Sequence, residues 1–134
     1  MNELLIYWNN KTNFITEIKL LKKLNHRHIV QLIDFLCDES YIYIIMEYCS
    51  GGDLSHFIKS RHRLPEAACV PFLQQIALAL KYMRAENVSH FDLKPQNILL
   101  SSRRNPIVKI ADFGLGQHLT ESESMSKVRG SPLY

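Results

Sequence analysis

No glycine precedes Gly51, and the 134 residues hold only five in all. A phosphate-cradling loop of the G-x-G-x-x-G kind is therefore excluded from everything ahead of that point. Cysteine is nearly as scarce. Cys37, Cys49 and Cys69 are an odd number with no C-x-x-C pair, which argues for free thiols in a reducing compartment and against a disulfide framework. Charge of either sign is not in large excess: 16 Lys and Arg against 13 Asp and Glu give a net +3, with the two signs interleaved. That pattern reads as solvated surface and lacks the basic stripe of a nucleic-acid binder. The longest uninterrupted apolar run is Tyr41 to Met46, far short of the roughly 20 residues that span a bilayer. The opening MNELLIYW carries Glu3 and too short an apolar run for a secretory leader, so a cytoplasmic location is expected. There is no internal repeat and no low-complexity tract.

What is present belongs to a globular domain. The hydrophobic fraction is 46%, and the length suffices for one sizeable core. Residues Met1 to Asn10 hold a short apolar patch whose periodicity does not decide between strand and helix. From Thr12, Phe14, Ile18, Leu21 and Leu24 fall on one face of an amphipathic helix, with Glu17 at its edge. His26 and His28 follow at i, i+2. No further metal-ligand partner stands near them, and loop packing is the expectation. Ile29–Phe35 and Tyr41–Tyr48 are β-branched and aromatic runs parted by Cys37-Asp38-Glu39-Ser40, a hairpin pattern. Gly51-Gly52 then breaks the chain ahead of a short helix from Asp53 to about Ser60. Leu64-Pro65-Glu66 opens a long helix, with Pro65 suited to its first position. Phe72, Ile76, Ala79, Leu80 and Met83 form its expected buried face. Pro71 predicts a kink and Asn87 the end.

The stretch from His90 to Leu100 reads HFDLKPQNILL, and ADFG follows at 111–114. Ile98-Leu99-Leu100 and Ile107-Val108-Lys109-Ile110 predict two short strands, joined by a turn over Ser101–Pro106. Their open end brings Asn97 and Asp112 together. An amide and a carboxylate offer oxygen donors to a hard cation such as Mg²⁺, and Asp92 offers a carboxylate to orient a hydroxyl.

These residues resemble the protein-kinase signature, H-R-D-L-x-x-x-N followed by D-F-G. DLKPQN looks like the serine/threonine branch. The segments EYCSGGDLSHFI, VSHFDLKPQNILLSS, KIADFGLGQHL and RGSPLY are most similar to the autophagy-initiating (Unc-like) serine/threonine kinases, from about Glu17 to Tyr134. The resemblance implies an α+β chain, a partial two-lobed kinase fold: the αC helix and hairpin of the N-lobe, the hinge, the upper C-lobe helices and the catalytic and magnesium loops. Residues 1–47 would be an N-lobe remnant, 48–52 the hinge, and 53–134 a partial C-lobe ending within the activation segment. ATP and Mg²⁺ are the implied cofactors. A protein bearing serine or threonine is the implied substrate, with regulatory proteins as further partners.

The resemblance also implies roles. Asp92 would orient the substrate hydroxyl, Lys94 would neutralise charge on the γ-phosphate, and Asn97 and Asp112 would hold Mg²⁺. Glu17 would be the αC glutamate that pairs with a strand lysine. Met46 would be the gatekeeper. The backbone of Glu47 and Cys49 would meet the adenine edge, with Leu99 as its floor. Asp53 would reach the ribose or a basic substrate residue, and the Gln96 carbonyl would face the ribose. Phe113 and His90, with Leu21 and Leu32, resemble the stacked spine of an assembled active state, and Ser131 would bond Asp92 and Lys94.

Several departures stand beside these matches. There is no glycine-rich loop. The only lysine before Glu17 is Lys11, so a V-A-I-K-type strand is missing, and no A-P-E motif follows GSPLY. A hairpin short of neighbouring strands and a long helix short of covering helices are expected to leave an exposed sheet edge and exposed apolar surface. Weak ATP binding and poor phosphotransfer are expected of this chain, with a non-catalytic competitor module as the alternative. Phe91 stands where most kinases carry the arginine that grips a phosphorylated activation segment. That implies little dependence on phosphorylation at Thr120, Ser122, Ser124 or Ser126.

Overall fold

The computed structural model describes residues 3–8, 14–39, 41–114 and 116–118, with backbone alone for 3–8, 14, 16–17 and 117–118. Three small antiparallel sheets and three helices make up these residues. The apolar patch near the start settles as strand β1 (Glu3–Trp8). Helix α1 (Phe14–Lys23) follows and buries Ile18, Leu20 and Leu21, with Leu24 just beyond it, as the period demands. The hairpin is β2 (Leu32–Cys37) and β3 (Ile42–Glu47), each shorter than the sequence pattern suggests. Strand β3 lies in the middle, in the order β1-β3-β2. Its side chains alternate between buried and half-buried, the mark of a strand with one face on the core. One expectation is corrected here: the edge of β3 is covered by β1 along its whole length, from Glu3 opposite Glu47 to Trp8 opposite Ile42.

Residues 24–31, between α1 and β2, run down to the second sheet. Val30 N–H donates to the Ile110 carbonyl and Ile110 N–H to the His28 carbonyl, both at 2.9 Å, so Ile29 bridges Ile110 in parallel. That second sheet contains β4 (Gly52–Asp53), β6 (Ile98–Leu100) and β7 (Val108–Ile110), in the order β4-β6-β7. Helix α2 (Leu54–Ser60) and helix α3 (Glu66–Ala85) pack against it through Leu54, Phe57, Ile58, Phe72 and Ile76. The larger core joins α1, the hairpin, the end of α3 and the 110–113 segment: Leu21, Leu24, Ile44, Met83, Ile110 and Phe113 are all buried there.

Helix α3 corrects two details. Pro65 sits at the N-cap, in an extended conformation, rather than inside the first turn of a helix that includes Pro71. Leu80 belongs to the exposed side, while Ala79 and Met83 are buried and Phe72 and Ile76 half-buried. Asn87, in left-handed conformation at φ 55°, turns the chain beyond the helix, a position asparagine tolerates better than most residues. Val88–Ser89 (β5) then pairs with Gln117–His118 (β8), which ties the chain beyond the ADFG segment to the end of α3.

Candidate functional site

The site begins with His90, which is buried between two backbone groups. Its Nδ1 accepts from the Asp92 N–H at 3.2 Å, so Nε2 carries the proton and donates to the Ala111 carbonyl at 2.8 Å. The ring also lies 4.9 Å from the Phe113 ring, centroid to centroid. Burial is the main influence on His90 and lowers its pKa, while the Ala111 hydrogen bond and the nearby Asp112 and Asp92 charges push the other way. The imidazole is thus held neutral as a two-ended brace between the 90–92 loop and the 111–113 segment.

Three of the residues singled out in the sequence meet at one carboxylate oxygen. Asp92 Oδ2 accepts from Lys94 Nζ at 2.7 Å and from Asn97 Nδ2 at 3.0 Å. The same Asn97 amide nitrogen donates to the Asp92 carbonyl at 2.9 Å. Pro95–Asn97 forms a short 3₁₀ turn that carries Asn97 into β6 with its side chain buried. Both Nδ2 hydrogens point at Asp92, which leaves the amide oxygen Oδ1 as the atom able to reach a cation. Ala111 N–H donates to the Asn97 carbonyl at 2.9 Å, and Ala111 is therefore pinned on both its N–H and its carbonyl. Asp112 is the next residue. It is exposed and left-handed at φ 63°, an uncommon state for a residue with a Cβ, and its Oδ1 accepts from Gly114 N–H at 3.3 Å. Asn97 and Asp112 are fixed by the backbone at the open end of the β6–β7 hairpin. An amide oxygen and a carboxylate from two elements suit a hard, oxygen-seeking cation that keeps water and phosphate for its remaining positions.

The second group lies along the linker. Met46 is buried on β3 with Leu32 as its backbone partner on one side and Leu4 on the other. Glu47 ends that strand. Its N–H donates to the Gln31 carbonyl at 3.0 Å, and its Oε1 accepts both Gln31 N–H at 2.8 Å and Lys109 Nζ at 2.7 Å. Cys49 is buried, and burial together with the Glu47 charge pushes its thiol up to about 11. Its carbonyl accepts from Gly52 N–H at 3.2 Å. Gly51 is required by space: a Cβ there would lie 2.6 Å from the Leu100 carbonyl oxygen. Leu99 is half-buried on β6 and packs against the larger core, opposite Asp53 on β4. Asp53 Oδ1 caps α2 by accepting from His56 N–H at 2.8 Å. Gln96 lies exposed in the 3₁₀ turn.

The structure therefore gathers Asp92, Lys94, Asn97 and Asp112 at one end of β6–β7, and Met46, Glu47, Cys49, Asp53 and Leu99 around the linker. The side chain of Glu17 lies outside the described residues, as do Lys11, Thr120, Ser122, Ser124, Ser126 and Ser131 altogether. Phe91 is left-handed at φ 63° and partly exposed. Phe113 and Leu21 share the larger core with Leu32 packed on it. His26 stacks on Tyr82 at 4.9 Å, and His28 Nδ1 bonds the Val108 carbonyl at 3.0 Å, so both brace the loop. Sequence reasoning missed the Glu47–Lys109 pair and Gln75, whose Oε1 accepts from Val108 N–H at 2.8 Å and fixes β7 to α3. Neither has a local signature, since the partners lie on separate elements.

Comparison with known proteins places this geometry in context. The family model described as "Protein kinase domain" matches residues 3–134. Serine/threonine-protein kinase ULK3 of Homo sapiens is 54% identical over 122 residues, covering 91% of this chain and 26% of that protein. Serine/threonine-protein kinase ULK1 of Homo sapiens is 45% identical over 88% of this chain and 12% of its own length. Serine/threonine-protein kinase ATG1c of Arabidopsis thaliana is 41% identical over 91% of this chain and 17% of its own length. The chain thus spans about a quarter or less of each of these relatives.

Proposed function

Because the chain belongs to the protein kinase domain family, we propose that it is the middle of a serine/threonine protein kinase of the autophagy-initiating group, which transfers the ATP γ-phosphate to a protein hydroxyl. The observation that carries this reading is the bonding of Lys94 and Asn97 to one oxygen of Asp92, with Asp112 fixed a residue beyond the Asn97 partner Ala111. Phosphoryl transfer is mainly positioning and electrostatics, and this set has little freedom to move. Asp92 orients the substrate hydroxyl and receives its proton. Lys94, held against Asp92, faces the charge that grows on the transferred group. Asn97 and Asp112 hold Mg²⁺, which supplies neutralisation of the phosphates when bound. The Glu47 carbonyl and Cys49 N–H meet the adenine edge, over Leu99 and beside Met46. Asp53 and the Gln96 carbonyl lie toward the ribose. Residues 1–47 act as the upper portion, 48–52 as the hinge and 53–134 as the lower portion, in a cytoplasmic protein.

A second reading has its own observation. The strand next to β3 and just ahead of α1 reads Glu3-Leu4-Leu5-Ile6-Tyr7-Trp8 and holds no lysine for Glu17. The 134-residue chain is accordingly expected to bind ATP weakly and transfer phosphate poorly, and could serve as a non-catalytic module competing for kinase partners. Phosphotransfer to a protein substrate separates the two. A longer parent protein bearing these residues should lose at least a hundredfold in rate on Asp92→Asn, and the short chain should stay near background. A parent indifferent to Asp92→Asn would defeat the catalytic reading; a short chain with parent-like turnover would defeat the second.

A further inference from the structure

The described residues hold a basic cavity that none of this chemistry uses. Arg61, which caps the C-terminus of α2, and Arg103, in the turn between β6 and β7, line one cavity of about 140 Å³ together with Gly51, His56, Phe57 and Ser60. Lys59, Arg63 and Arg104 flank the two arginines in sequence and are exposed. None of these five cations makes an ion pair among the described residues.

Both segments are held in place. The Arg61 guanidinium lies 4.4 Å over the Phe57 ring, and Phe57 meets Phe72 edge-on at 5.7 Å. Arg63 N–H donates to the Arg61 carbonyl at 2.7 Å across His62, which is left-handed at φ 60°, a tight and strained turn. In the other segment Ser101 Oγ accepts from Ile107 N–H at 3.0 Å, and Ser102 Oγ donates to the Asn105 carbonyl at 3.1 Å, closing the turn that carries Arg103. Ser50 Oγ fastens that turn to the linker through the Ser101 carbonyl at 3.1 Å.

Two arginines and a histidine lining one cavity are suited to a tetrahedral oxyanion, while the Ser60 hydroxyl beside them donates to the Phe57 carbonyl at 2.9 Å. Arginine binds phosphate through paired N–H groups, and an aromatic face beneath it fixes the plane of the fork. The volume lies below the roughly 300–1,000 Å³ of small-molecule sites, so one anionic group fits rather than a whole nucleotide. A nucleic acid needs a track of positive charge along its backbone, and a single concavity walled by Phe57 is not one. We propose that this cavity binds the phosphorylated serine or threonine side chain of a protein segment.

Fluorescence anisotropy tests it, with the 134-residue chain and a short labelled peptide bearing one phosphoserine, against the same peptide with serine. The phosphopeptide should bind at least tenfold more tightly. The pair Arg61→Ala with Arg103→Ala should remove at least tenfold of that affinity. Lys81→Ala with Arg84→Ala changes the net charge equally on exposed positions of α3 and should alter it less than twofold. All four positions are exposed, so the variants are expected to fold, and unchanged thermal midpoints verify it. No preference for the phosphopeptide, or equal losses in the two double variants, would overturn the proposal. So would a labelled single-stranded oligonucleotide that binds more tightly than the phosphopeptide and is lost in the arginine variant. Phosphotransfer is not read, so the outcome stands apart from the kinase reading.

Discussion

His90 accepts at one ring nitrogen and donates at the other, and a second proton would break the Asp92 N–H bond. Its pKa is lowered from the ordinary 6.5 by burial, and that of His26 is lowered by burial and by the His28 and Lys109 charges. The unfolded chain therefore binds more protons than the folded one below about pH 6.5. Stability is fully present above that value and is lost as pH falls through the folded pKa. The thermal midpoint should drop between pH 7 and pH 5, and the His90 ring should titrate by NMR below 6.5; titration at or above 6.5 would refute the assignment. Glu47 and Lys109 make a second prediction. Their side chains are only 29% and 14% exposed, so a double-mutant cycle with Glu47→Gln and Lys109→Met should give a coupling of about 1–2 kcal/mol in urea unfolding. A coupling indistinguishable from zero would show the pair to be incidental. Asp92, Lys94, Asn97 and Asp112 were legible because their spacing along one loop and one hairpin is itself the geometry. Glu47–Lys109 and Arg61–Arg103 were not, because each joins residues that only the fold brings together.

At the scale of elements, periodicity served α1 and the β2–β3 hairpin well, since each buries one face. It failed for β1, whose apolar run fits strand or helix until β3 offers a partner. Helix α3 was legible in extent, but Leu80 was misassigned because the turn of a long helix was read as one continuous stripe. Helix α2 rests on a cap that sequence reading had assigned to a ligand role. Asp53→Ala should destabilise by about 1 kcal/mol, while Asp53→Ser keeps a capping oxygen and should cost only a few tenths. If nucleotide affinity falls equally in both variants of a nucleotide-binding parent, Asp53 also serves the ligand; if only the alanine variant falls, the cap is its whole contribution.

Over the whole molecule, the fold is lopsided in its burial. The hairpin packs into the larger core and most of the β4-β6-β7 sheet into a smaller one with α2, but α3 keeps Val70, Leu73, Leu78 and Leu80 exposed. The sequence foretold this surface, because the apolar residues of α3 outnumber what two short helices and a small sheet can cover. Patches of this kind drive self-association. Leu73→Lys together with Leu78→Glu should raise the concentration at which sedimentation still finds monomer, with the thermal midpoint nearly unchanged. A falling midpoint would mean that these leucines are packed rather than exposed.

The bridge between Ile29 and Ile110 also dictates an order of events during synthesis. The His28 ring waits for the Val108 carbonyl, 80 residues further along the chain. At translation speeds of about 5–20 residues per second, that interval lasts roughly 4–16 s. For most of it, once Glu47 has been added, α1 and the hairpin exist without the strand that anchors them. The amino-terminal third of this chain is thus expected to gain from any factor that shelters nascent apolar surface, and slowing the ribosome between codons 30 and 110 should lengthen its exposure.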